Sequence, residues 1–140
     1  IPVIITYTMN IYGKNQSSCK FIPKIIDLIS NGDEVILHGK HIANKRNYLH
    51  VDDACSAVHF ILNNGVIGER YNIVSDKCTD NLQIAALLAK LLHKELKYKF
   101  AYSDQHHAKS ILSNSKLQKL GWRPKISLEK GLKKYVNDSR

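Results

Sequence analysis

The feature that most constrains this chain is an unbroken run near its start, Val3-Ile4-Ile5-Thr6, in which every side chain is β-branched and none alternates with a charge. Alternation disappears when both faces of a strand are covered, so the run suits a strand over residues 3–6 buried on both faces of a parallel sheet. Such a strand needs neighbours. The run falls far short of the roughly eighteen residues that span a bilayer, and no later apolar stretch reaches that length, so no membrane partner is expected. Nor does the opening Ile-Pro-Val-Ile-Ile-Thr read as a signal peptide, since neither a basic segment nor a small-residue cleavage site flanks it.

Beyond the run, helical and extended patterns alternate. After an Asn10-Ile11-Tyr12-Gly13 turn, Phe21, Ile22, Ile25, Ile26, Leu28 and Ile29 recur at helical spacing, and Asn31-Gly32 supplies a stop. Residues 35–37 read as a short strand, 39–44 as a loop, and 46–51 as a further extended segment. Asp52 is placed to cap a helix whose apolar face is Ala54, Ala57, Val58, Ile61 and Leu62, ending at Asn63-Asn64-Gly65. A strand over 71–74 comes next, then a helix capped by Asp80 or Asn81 and running through Leu92, and an extended piece over 98–100. Two more helices, over 116–120 and 128–136, close the pattern, the first halted by Gly121 and Pro124. The class is therefore α/β, without an internal repeat or a low-complexity linker.

With 140 residues, 44% of them hydrophobic, the chain can bury one core and reads as a single unit over 1–140. The formal charge of +9 admits a nucleic acid, a phosphorylated small molecule or a solvated lysine surface. Its lysines are spread over several helical segments and are not interleaved with aromatics, which disfavours a nucleic-acid partner. Cys19, Cys55 and Cys78 are scattered without disulfide or zinc spacing, pointing to a reducing, cytoplasmic compartment. His106 and His107 would point to opposite faces of a strand and have no ligand-spaced partner, so no metal is expected. Asp52 and Asp53 could pass for an acid–base pair, but beside a helix start a capping role is the stronger reading. Trp122, after Gly121, reads as a packing residue.

Five segments, in order, resemble the C-terminal part of the extended short-chain dehydrogenases/reductases, the NAD-dependent epimerase/dehydratase family, and most closely its dTDP-glucose 4,6-dehydratases. They are Pro2-Val3-Ile4-Ile5-Thr6 with Asn10-Ile11-Tyr12-Gly13; Lys20-Phe21-Ile22-Pro23; Arg46-Asn47-Tyr48-Leu49-His50-Val51-Asp52-Asp53; Gly68-Glu69-Arg70-Tyr71-Asn72-Ile73; and Leu120-Gly121-Trp122-Arg123-Pro124. The resemblance implies the substrate-binding lobe of an extended Rossmann-type fold, opening on a strand of the Rossmann sheet and lacking the N-terminal dinucleotide-binding half. It implies a nucleotide diphosphate sugar as ligand, with Lys20 and Phe21 at the pocket, Arg46 on the diphosphate and Asn81 nearby, while Asn10 and Tyr12 lie beside the cofactor. An arginine fork and an amide are suited to phosphate and ribose oxygens. Read without the resemblance, Lys20 and Arg46 are surface cations and Asn81 a helix cap.

In the complete family enzyme NAD takes a hydride from the sugar, water is eliminated, and the hydride returns. The 140 residues contain neither the Gly-x-x-Gly-x-x-Gly turn that seats a dinucleotide pyrophosphate nor a Tyr-x-x-x-Lys pair. The isolated chain is thus expected to be inactive and to hold no NAD tightly, with a separate Rossmann-domain chain or self-association completing the sheet. Other departures are Tyr7 after the strand, Lys14 in place of a proline, and a longer loop before Arg46. Tyr102-Ser103-Asp104-Gln105-His106 stands where the family has Asp-Arg-Pro-x-His, which removes a second phosphate-facing arginine and leaves Lys109 as the candidate to compensate. The competing readings are a noncatalytic nucleotide-sugar binding or regulatory module, a decayed remnant, and a basic nucleic-acid binder.

Overall fold

A computed structural model describes residues 1–38, 45–101 and 111–138. Among these residues, eight short strands and five helices succeed one another as β1 (Ile5–Thr8), β2 (Ile11–Tyr12), α1 (Phe21–Asn31), β3 (Val35–His38), β4 (Arg46–Asn47), β5 (Leu49–His50), α2 (Val51–Asn64), β6 (Arg70–Ile73), β7 (Cys78–Thr79), α3 (Asn81–Leu92), β8 (Tyr98–Ala101), α4 (Ser115–Leu120) and α5 (Leu128–Asp138). The α/β class read from the sequence holds. Among the described residues the strands form four separate pairs: β1 with β6, β2 with β5 and β3 with β8 in parallel, and β4 with β7 antiparallel.

Two apolar clusters hold these pieces together. In one, Ile22, Ile25 and Ile29 of α1 meet Ile84, Ala85 and Leu88 of α3, Leu132 and Val136 of α5, and Val35 and Leu37 of β3. In the other, Ala54, Ala57 and Ile61 of α2 meet Tyr71 and Ile73 of β6, Leu117 of α4 and Trp122. The β2–β5 pair is the seam between them, because Tyr12 packs into the first cluster while Leu49 packs into the second. Trp122 also donates its indole N–H to Ser56 Oγ at 3.0 Å, pinning the link between α4 and α5 onto α2 as its packing role requires.

Several expectations shift. The first strand begins two residues later than the apolar run, and its residues are exposed, Ile5 at 39% and Tyr7 at 44%, so among the described residues neither face of β1 is covered as expected; it pairs along one edge, with β6. The segment over 46–51 divides: β4 pairs with β7, β5 pairs with β2, Tyr48 turns between them, and Val51 already belongs to α2. His50, not Asp52, caps α2, its ring nitrogen Nδ1 accepting from the Asp52 backbone N–H at 3.2 Å. The buried apolar face of α2 is Ala54, Ala57 and Ile61, whereas Val58 and Leu62 are exposed.

The other helix ends obey ordinary capping chemistry. Gly32 ends α1 and Gly121 ends α4 in the left-handed region that favours glycine. His93 takes that conformation after α3, with φ of 55°. At the start of α3, Asp80 accepts from the Gln83 backbone N–H at 2.8 Å while the Gln83 side chain reaches back to Asp80, a complete capping box. The choice left open between Asp80 and Asn81 thus falls to Asp80, and Asn81 becomes the first helical residue.

Candidate functional site

Two cavities meet at Phe21. One, of about 310 Å³, is lined by Asn10, Ile11, Tyr12, Gln16, Lys20, Phe21, Ile22 and Tyr48. The other, of about 480 Å³, holds Phe21, Lys24, Glu34, Ile36, His38, Arg46 and Asn81 among its lining residues. All six residues singled out by the resemblance therefore line one of two adjoining hollows. Asn10, Tyr12, Lys20 and Phe21 share the first, and Phe21, Arg46 and Asn81 share the second.

Local structure explains how each arrives there. Asn10 tolerates the left-handed φ of 41° that turns the chain between β1 and β2. Its side-chain amide donates to the Asn47 carbonyl at 3.3 Å, and its own backbone carbonyl accepts from the Leu49 N–H at 3.2 Å, which ties this turn to β5. Lys20 is the residue before α1; it makes no side-chain cap, and it stays exposed at the mouth of the cavity. Phe21 opens α1 and is half-buried between the hollows. Arg46 stands in the antiparallel β4–β7 ladder opposite Thr79, which lies two residues before Asn81.

Tyr12 is engaged differently from the others. It lines the cavity, but its hydroxyl donates to the Leu128 carbonyl at 3.3 Å, and its ring meets His50 edge-on with centroids 5.4 Å apart. Burial and then the nearby Asp53 carboxylate push its phenol well above the ordinary value, so it keeps its proton. Asp53 is itself buried and accepts two backbone N–H groups, Lys125 at 3.0 Å and Ile126 at 2.9 Å. Asp52 is exposed and paired with Lys134 at 2.6 Å, and that hydrogen bond holds its carboxyl below the usual range. The two carboxylates thus serve neither as an acid–base pair nor as a cap. Asp53 docks a loop, and Asp52 pairs across to α5.

Three cavity residues escaped the sequence reading. Tyr48 is buried, lines the smaller cavity, and donates its hydroxyl to Asn81 Oδ1 at 3.0 Å. Gln16 donates to the Ile11 carbonyl at 3.0 Å, while its Oε1 is buried without a partner among the described residues. Lys24 adds a cation to the larger cavity. Tyr48 lies inside the Arg46 motif, and that membership is the signal that could have found it. His106, His107, Ser103, Lys109 and most of the loop before Arg46 fall outside the described residues. Among the described residues, no cluster of His, Cys, Asp and Glu could hold a metal, and no helix is long and apolar enough to cross a membrane.

The fold recurs in known proteins, and the sequence is similar to theirs. The sequence model of the NAD dependent epimerase/dehydratase family matches residues 1–74, more than half of the chain. The dTDP-D-glucose 4,6-dehydratase of Mus musculus is 34% identical over 143 residues, spanning 96% of this chain and 40% of its own length. Among solved structures, the dTDP-glucose 4,6-dehydratase of Bacillus anthracis in complex with NAD superposes with a TM-score of 0.87 at 31% identity, covering 96% of this chain and 43% of that one. The UDP-glucose 4-epimerase of Thermotoga maritima with UDP-glucose gives a TM-score of 0.85 at 31% identity, covering 98% and 45%. The chain spans less than half the length of these relatives, and only 21% of a trifunctional UDP-glucose 4,6-dehydratase of Arabidopsis thaliana to which it is 35% identical. Its fold is the Rossmann-like α/β fold of dehydratases and epimerases, and the chain belongs to the NAD dependent epimerase/dehydratase family.

Proposed function

We propose that this chain is the nucleotide-sugar-binding lobe of an NAD-dependent 4,6-dehydratase-like enzyme. The observation that carries the reading is the meeting of two cavities at Phe21, with Lys20 on one side and Arg46 and Asn81 on the other. A diphosphate laid past Phe21 would receive the Arg46 fork, whose geometry suits carboxylates and phosphates alike. In this reading residues 1–140 form one lobe, and β1 is a strand of the larger Rossmann sheet. Its further neighbours would come from a separate Rossmann-domain chain or from a second copy.

The residues present do not fit the dinucleotide itself. Among the described glycines, Gly13 lies against Val51 and Gly131 against Tyr12 and His50, so both are filled by packing. Gly32, Gly68 and Gly121 serve turns at positive φ. None belongs to a Gly-rich strand-to-helix turn of the kind that approaches a pyrophosphate. Hydride chemistry is accordingly assigned to residues outside these 140, and the chain alone is inactive on dTDP-glucose.

Calorimetric titration with dTDP tests the reading. The parent chain should bind, and Arg46→Ala should bind about tenfold to a hundredfold more weakly, the effect of losing a charge-assisted contact of roughly 1.5–3 kcal/mol. Heat of binding absent from the parent chain, or unchanged in Arg46→Ala, counts against the lobe; NAD-dependent turnover by the chain alone counts against the division of labour.

A further inference from the structure

We propose that Tyr48 is a positioning residue for ligand binding, locking the Asn81 carboxamide so that Asn81 serves the larger cavity only as a hydrogen-bond donor. The inference rests on the lobe reading and gives the cavity a stated chemistry.

An asparagine amide has one acceptor and one donor end, and a half-turn about its last bond exchanges them. At Asn81 the acceptor end is turned to Tyr48, whose hydroxyl Oδ1 receives at 3.0 Å. That donor is dependable: Tyr48 is buried, and burial, opposed by Arg46, pushes its phenol up to about 12, so the proton stays in place through the physiological range. Nor does the helix compete for the amide, since the cap of α3 is Asp80 with Gln83. Among the described residues no hydrogen bond engages the Nδ2 end, which carries two N–H groups, and Asn81 lines the larger cavity.

The charged groups of that wall agree. Arg46 and Lys24 can only donate. Glu34, an acidic member of the lining, has its carboxylate paired with Lys99 at 2.5 Å. A wall of this kind selects the acceptor-rich part of a ligand: phosphate oxygens, ribose oxygens or a base carbonyl. It also makes Asn81→Asp an informative change, since a carboxylate still accepts from Tyr48 but then turns a negative oxygen toward the cavity.

The test is a double-mutant cycle on dTDP affinity, measured calorimetrically for the parent chain, Tyr48→Phe, Asn81→Ala and the double variant, with thermal melting recorded for each. Tyr48→Phe should weaken dTDP about fivefold, and the same change made in Asn81→Ala should have no further effect on affinity. A Tyr48 that merely supports the fold would weaken binding equally in both backgrounds, which overturns the proposal, as does parent-like affinity in Tyr48→Phe. Should Tyr48→Phe fail to fold, Asn81→Asp decides: a loss of tenfold or more supports the donor role, and parent-like affinity overturns it. A parent chain that binds no dTDP removes the lobe reading, and this inference with it.

Discussion

Asp53 shows how much of this structure turns on single side chains. Its two oxygens each accept a backbone N–H from the segment that leads into α5, and its carboxylate is buried. Asp53→Ala strands both donors, so a loss of about 2–4 kcal/mol is expected, measurable as a lower urea midpoint. No local pattern hints at this partnership, because Lys125 and Ile126 lie 72 and 73 positions away in the chain. His50 is the residue whose titration should be felt. Burial lowers its pKa below 6.5, with Asp52, Asp53 and Asp138 raising it in opposition and Lys134 lowering it further. Below about pH 6.5 the unfolded chain then binds more protons than the folded one, so the His50 contribution to stability is full above that value and is lost as the pH falls. His50→Asn keeps a cap acceptor and removes the titration. The stability difference between parent and variant should be constant above about pH 7 and shift toward pH 5, the parent losing more. Parallel pH profiles would show that His50 is not the group responsible.

At the level of elements, the helices and the four-residue strands β3, β6 and β8 were legible, and the two-residue strands were not. Periodic apolar residues and terminal glycines define α1, and the Asp80–Gln83 spacing places the start of α3, since both signals are local. β4 and β5 are two residues long and owe their existence to β7 and β2, so no pattern within residues 46–51 could divide them. For the same reason the exposed faces of Val58 and Leu62 were invisible: helical spacing fixes which residues share a face, not what covers it. The candidate site was legible only through ordered motifs; Tyr48 and Gln16 carry no signal of their own. Packing of α5 against β2 and β5 depends on Gly131, where a Cβ would overlap the Tyr12 hydroxyl and crowd His50. Gly131→Ala should therefore destabilise the chain despite its better helix propensity, by about 1–3 kcal/mol in denaturant unfolding. A neutral or stabilising result would mean that the seam can open around an added methyl group.

At the scale of the whole molecule, the described residues form two apolar clusters joined along β2 and β5, with the cavities set beside that seam. Its exposed apolar surface includes Ile5 and Tyr7 on β1, a strand whose second edge has no partner within the described residues. Open strands of this kind recruit others, so sedimentation velocity should show concentration-dependent association that Tyr7→Lys reduces. An unchanged monomer at all concentrations would deny β1 the role of an interior strand awaiting neighbours. Amide chemical-shift mapping during a dTDP titration tests most directly whether the two adjoining cavities hold a nucleotide diphosphate. Saturable shifts concentrated at Lys20, Phe21, Arg46 and Asn81 are the expected result. Shifts confined to Lys77, Lys125 and Ile126, in a third cavity of about 300 Å³ that touches the smaller one at Tyr48, or no saturable shifts at all, would contradict it.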